Sequence, residues 1–102
     1  MTTIAFDIDD TLYKIIGNTP DLHQAPDYDL IQVLRILHKF GARIYIWSAG
    51  GVDYATTIVK KLGLWNIAIV IPKGSVKVDI CFDDQEVKLG LVNFLIDRKL
   101  NP

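Results

Sequence analysis

Two knots of aspartate hold most of the chemistry in this sequence. One is Asp7-Ile8-Asp9-Asp10-Thr11 and the other is Asp83-Asp84. Eleven of the twelve acidic residues are Asp, and only Glu86 is Glu. A surface filled for helix propensity favours Glu, whereas Asp suits turns, caps and metal sites. Carboxylates a few ångströms apart repel, so a cluster lifts its own pKa values until a cation neutralises it. Mg2+ is the natural cation, because it takes oxygen ligands, typically one or two carboxylates plus phosphate and waters. No His/Cys cluster points to zinc. Ser48-Ala49-Gly50-Gly51 adds a hydroxyl and flexible backbone donors, and Lys73 adds an ammonium. Together these make a phosphoryl site: hydroxyl and N–H groups hold the non-bridging oxygens and the lysine offsets charge.

These residues meet only if the chain carries them to one place. Residues 3–6 form a short apolar run ending at Asp7, which predicts a buried strand. Leu30, Val33, Leu34, Leu37 and Phe40 recur at helical spacing over about 29–40, with Asp27 or Asp29 to cap the start and Gly41 to stop it. Residues 42–47 read as a second strand, and a second helix runs from about Val52 to Leu62. Residues 67–71 and 78–82 read as the third and fourth strands, and 91–96 as a fifth strand in preference to a helix. Residues 13–27, with Gly17, Asn18, Pro20 and Pro26, have no period and read as a flap-like loop. Alternating strands and helices predict an α/β fold: a three-layer, Rossmann-like parallel sheet of four to five strands with flanking helices. The strand ends of a parallel sheet share one edge, where ligands bind. Residues 72–77 are short for a crossover, so strands three and four are either parallel or a hairpin, and the parallel arrangement is preferred.

The 102 residues form a single domain, 1–102. Half are hydrophobic and 23% are charged, which predicts a folded globule. A formal charge of −1 excludes a strongly basic nucleic-acid footprint but leaves local patches open. No apolar run approaches the ~18 residues of a spanning helix. The N-terminus lacks the basic region and cleavage site of a signal peptide, and the single Cys81 can form no intrachain disulfide. The expected setting is reducing and cytoplasmic.

In order and spacing, these groups resemble the haloacid dehalogenase superfamily across nearly the whole chain. Asp7-Ile8-Asp9-Asp10-Thr11-Leu12 matches its first motif after a hydrophobic strand. Ser48 after Ile44-Tyr45-Ile46-Trp47 resembles the second, and Asp83-Asp84 after Ile80-Cys81-Phe82 the fourth. The resemblance implies a Mg2+-dependent phosphatase working through an aspartyl-phosphate on Asp7. Asp9 would be the general acid and then the general base, with its backbone carbonyl on the metal. Asp83 would be the second carboxylate ligand, with Asp84 a ligand or an outer-sphere partner. Ser48 and the N–H groups of Ala49 and Gly50 would bind phosphate, and Thr11 would orient the first loop. The third motif is a lysine. Lys77 precedes strand four, ~16 Å from Asp83 at ~3.3 Å per residue, so geometry favours Lys73. Lys73-Gly74 departs from the lysine-proline of many relatives. Neither gap between motifs holds a cap domain, so the chain resembles a capless member. An open site calls for a large phosphorylated substrate, a second copy of the chain as lid, or the 13–27 flap; sugar phosphates, nucleotides and nucleic-acid ends all remain candidates.

Each group also has a plain structural reading. Asp7 and Asp9 fit a strand-end turn, Asp83-Asp84 a helix cap, and Ser48-Gly50-Gly51 a bare turn. Two rival functions follow: a catalytically silent domain that binds phosphate or a partner, and a phospho-receiver module. The receiver needs an acceptor Asp at the end of strand three, where the sequence has Val70-Ile71-Pro72.

Overall fold

A computed structural model describes residues 1–16 and 23–98. In chain order the elements are β1 (Thr3–Phe6), β2 (Tyr13–Ile16), β3 (His23–Pro26), α1 (Tyr28–Lys39), β4 (Arg43–Ile46), α2 (Val52–Lys61), β5 (Ala68–Val70), β6 (Val78–Asp83) and β7 (Gly90–Leu95). Five strands make one sheet in the order β5-β4-β1-β6-β7, and every neighbouring pair is parallel. The fifth strand is therefore present, and strands three and four lie parallel.

Alternation along the strands decides what faces what. Ile4, Phe6, Ile44 and Ile46 point to one face and share a buried cluster with Ile31 and Leu34 of α1 and Ala55, Ile58 and Val59 of α2. Ala5 points the other way, into a second cluster with Trp47, Val78 and Cys81. Burial pushes the Cys81 thiol up to about 11, and the nearby Asp83 charge adds to it, so this thiol is a packing group.

The expected three layers are corrected here. Both helices pack on one sheet face, and among the described residues no helix covers the other. Ile71, Val87 and Leu89 from the two inter-strand segments pack there instead. Segments of this length cannot hold a crossing helix, but they can reach. Val70 and Phe82 lie at the same level, two strands apart across β4 and β1. Crossing ~14 Å sideways and ~13 Å back needs ~20 Å, and eight residue steps span up to ~26 Å.

Helix α1 begins where the Asp27 carboxylate accepts the Leu30 N–H at 3.1 Å. It stops at Gly41, whose φ of 98° lets the chain turn into β4. The 13–27 segment is also corrected. Its described part is an antiparallel hairpin, with Tyr13 opposite Pro26 and Ile16 opposite His23. The turn-forming residues of this segment masked a strand signal in Tyr13-Lys14-Ile15-Ile16. The Asp27 N–H donates to the Leu12 carbonyl at 2.7 Å and closes the base of the hairpin.

Edge strand β7 is held by an aromatic stack. Phe6 and Phe82 have ring centroids 4.7 Å apart, and Phe82 and Phe94 5.0 Å. No helix among the described residues is long and apolar enough to cross a membrane.

Candidate functional site

The carboxyl ends of β1, β4, β5 and β6 share one edge of the sheet. Asp7 continues the β1 ladder, its N–H donating to the Phe82 carbonyl at 3.0 Å. Asp83 is the last residue of β6 and fully buried. Because β1 and β6 are neighbours, the two carboxylates face one another. With Asp84 they form a triad in which one carboxylate oxygen from each residue lies within 4.8 Å of the other two.

Lys73 sits against this triad. Its Nζ lies 3.2 Å from Asp7 Oδ1 and 2.8 Å from Asp83 Oδ2. The side chain is aimed by a turn in which the Ser75 N–H donates to the Pro72 carbonyl and Gly74 takes φ 74°. That turn needs glycine after the lysine, which accounts for Lys73-Gly74. Lys77 is exposed just before β6, away from this edge.

One lysine does not balance three carboxyls. Burial pushes Asp7 up to about 7, the Asp83 charge adds to the rise, and Lys73 offsets part of it. Burial also works against the Lys73 ammonium, but Asp83 and Asp7 outweigh it and raise its pKa. Asp83 Oδ1 accepts the Gln85 N–H at 2.9 Å. Its Oδ2, fully enclosed, meets the Lys73 ammonium at 2.8 Å. Three carboxylates that share one ammonium are an under-neutralised set of hard oxygen donors, which fits a small divalent cation such as Mg2+. Asp7, Asp83 and Asp84 would hold it. The Asp9 side chain is not among them.

The Asp9 carboxylate instead accepts the Tyr54 hydroxyl at 2.6 Å. Tyr54 lies in the first turn of α2, so that helix reaches the aspartate loop. An alanine Cβ at Gly50 would lie 3.0 Å from the Tyr54 ring and 3.3 Å from Ser48 Oγ, so any residue but glycine would press on both side chains. Ser48, nearly buried past the end of β4, accepts the Gly50 N–H at 3.0 Å and keeps its own O–H to donate. The Gly50 N–H is thus engaged within the loop. Ala49 is exposed beside it.

Thr11 does not orient the loop through its hydroxyl, which is buried without a hydrogen-bond partner among the described residues. The backbone does: the Thr11 and Tyr13 N–H groups both donate to the Ile8 carbonyl, at 3.1 and 3.0 Å. Asp10 holds φ 59°, a left-handed conformation that Asp tolerates. Arg98 braces the loop from outside. Its Nε donates to the Asp10 carbonyl at 2.9 Å, and its NH2 group to the Thr11 carbonyl at 2.7 Å and to Asp27 at 2.8 Å. Sequence reasoning missed both Tyr54 and Arg98. Tyr54 carries a faint signal, one turn beyond Gly50-Gly51; Arg98 carries none.

Asp79, in β6, ties that strand to β1. Its carboxylate accepts from the Thr3 N–H and hydroxyl at 2.8 and 3.1 Å, which lowers its pKa and pins the start of β1.

The site thus gathers Asp7, Asp83, Asp84 and Lys73, with Asp9 and Ser48 on the adjoining loops. Compared with known proteins, the chain matches no family model, no curated protein and no solved structure.

Proposed function

We propose that this chain is a Mg2+-dependent phosphohydrolase of the haloacid dehalogenase kind, with Asp7 as nucleophile. One observation carries the reading: Asp7, Asp83 and Asp84 converge at the sheet edge beyond what Lys73 alone neutralises. An Asp7 that titrates near neutrality needs another cation beside it to stay ionised and attack. Bound Mg2+ would supply that charge and polarise the phosphoryl oxygens.

The chain's own groups would do the rest. An Asp7 oxygen attacks phosphorus, the bond from phosphorus to the leaving alcohol breaks, and Asp9 gives that oxygen its proton. Asp9 then takes a proton from water, which attacks phosphorus. The Asp7–phosphorus bond breaks, releasing phosphate and restoring Asp7. Lys73 offsets charge throughout, and the free Ser48 O–H donates to a non-bridging oxygen. Tyr54 holds Asp9 in place. Strands β2 and β3, rising from the first loop, would flank the substrate. A phosphomonoester is the proposed substrate class.

The test is phosphate release from a panel of phosphomonoesters with and without Mg2+, repeated with Asp7→Asn. Turnover that requires Mg2+ and disappears in the variant is expected. Turnover surviving Asp7→Asn would remove the nucleophile assignment. Phosphate-analogue binding with no turnover on any substrate would leave a silent binding domain.

A further inference from the structure

A second groove lies away from the aspartate edge. It has a volume of about 500 Å3 and opens between the base of the hairpin, helix α1 and the C-terminal end of α2. None of Asp7, Asp9, Ser48, Lys73, Asp83 or Asp84 lines it. Its size is that of small-molecule sites, which run from ~300 to ~1,000 Å3.

The lining is selective in sign. Arg35 and Lys61 are the cations among its described lining residues, and no Asp or Glu is among them, although the chain has more acids than bases. Both side chains are exposed, and among the described residues neither forms an ion pair. Cations placed where no carboxylate competes are available to an anion, and a guanidinium suits phosphate because it offers paired donors. The walls are not polar throughout. Ile31 and Leu62 give apolar surface, and two aromatic rings, Tyr13 and Tyr28, flank the groove. The Tyr13 ring is buried against the core, whereas Tyr28 is 73% exposed, a flat surface on which a planar ring can stack.

We propose that this groove binds a phosphate-bearing aromatic ligand of the nucleoside monophosphate class, with Arg35 and Lys61 on the phosphate and Tyr28 against the base. The inference stands apart from the phosphohydrolase reading, because none of the proposed catalytic, metal-holding or phosphate-binding residues lines the groove. Two of the groove's wall residues, Tyr13 and Pro26, belong to the hairpin, so occupancy would also steady the strands that rise beside Asp9.

The experiment is calorimetric titration of the whole chain with adenosine 5′-monophosphate in EDTA, with adenosine and inorganic phosphate as separate arms. Amide shifts are recorded alongside. The nucleotide should bind at least tenfold more tightly than either fragment and move the amides of Gln32 and Arg35. The double variant Arg35→Gln/Lys61→Gln should weaken binding at least tenfold with its melting temperature unchanged. Tyr28→Ala should bring the nucleotide down to the affinity of inorganic phosphate. No nucleotide binding at millimolar concentration, or binding indifferent to the double variant, overturns the proposal. Inorganic phosphate binding as tightly as the nucleotide overturns it too.

Discussion

The Tyr54 hydroxyl donates to the Asp9 carboxylate across 2.6 Å and so joins the first turn of α2 to the loop after β1. The same ring lies over Gly50, so a Cβ there would sit only 3.0 Å from it. One aromatic side chain therefore sets the spacing between the proposed acid–base group and the serine loop. Tyr54→Phe keeps the packing and removes the donor. It should lower kcat on a phosphomonoester about tenfold, ~1.4 kcal/mol in the barrier, with less change in KM. Gly50→Ala should do the same by displacing the ring. An unchanged kcat in Tyr54→Phe would show that Asp9 needs no such anchor.

Asp7 makes stability depend on pH in a direction opposite to most carboxylates. Its folded pKa is raised from 3.8 to about 7, so between those values the native state holds a proton that the unfolded chain has lost. Stability of the metal-free protein should therefore fall as pH rises through that window, by up to ~1.4 kcal/mol per pH unit, and level off above it. Asp7→Asn should flatten this decline and raise the melting temperature at pH 8 in EDTA. Mg2+ should raise the wild-type melting temperature at pH 8 more than at pH 5. Melting curves at the two pH values, with EDTA or Mg2+, check all three statements.

Lys73 and Lys77 separate cleanly. Lys73→Met strips the only side-chain cation described beside Asp7 and Asp83, so turnover should fall about a hundredfold, on the order of 3 kcal/mol in transition-state stabilisation. Lys77→Met lies at the opposite end of β6 and should leave turnover within a factor of two. Parallel kinetic assays of the two variants decide it, and equal effects would refute the assignment of Lys73.

Arg98 bonds two loop carbonyls and the capping Asp27, so Arg98→Gln should cost about 1–3 kcal/mol of stability. Burial opposes ionisation of Asp27, but the Leu30 N–H and Arg98 outweigh it and hold its pKa low. Its contribution is present above the ordinary carboxylate pKa and fades as pH falls through the lowered value. Urea midpoints of Arg98→Gln, Asp27→Ala and the double variant should be non-additive at neutral pH. Strict additivity would mean that the two side chains act independently.

The strands were legible because each is a short apolar run bounded by a turn residue, and the site because its groups follow those runs directly. Asp7, Asp83 and Lys73 needed only the rule that parallel strands end on one edge. What stayed hidden depends on pairing across the chain. The hairpin was obscured by Pro20, Pro26 and Gly17, whose local preference for turns outweighed four strand-forming residues. The one-sided placement of the helices rests on two crossovers of ordinary-looking residues, and nothing local marks which face they cover. Tyr54 and Arg98 act through side-chain tips whose targets are 45 and 88 residues away in sequence, for Asp9 and Asp10 respectively.

The hydrogen bond from the Asp27 N–H to the Leu12 carbonyl has a consequence for how this chain tolerates change. It brings together the two ends of everything threaded between them, so the sheet and α1 are already joined without the hairpin. Loop-closure cost grows only slowly with length, about 0.6 kcal/mol per doubling, once the ends are held. The interval between Leu12 and Asp27 is therefore a socket. A longer strand pair or a small domain could be plugged in there, changing what reaches the aspartates while leaving the aspartates where they are.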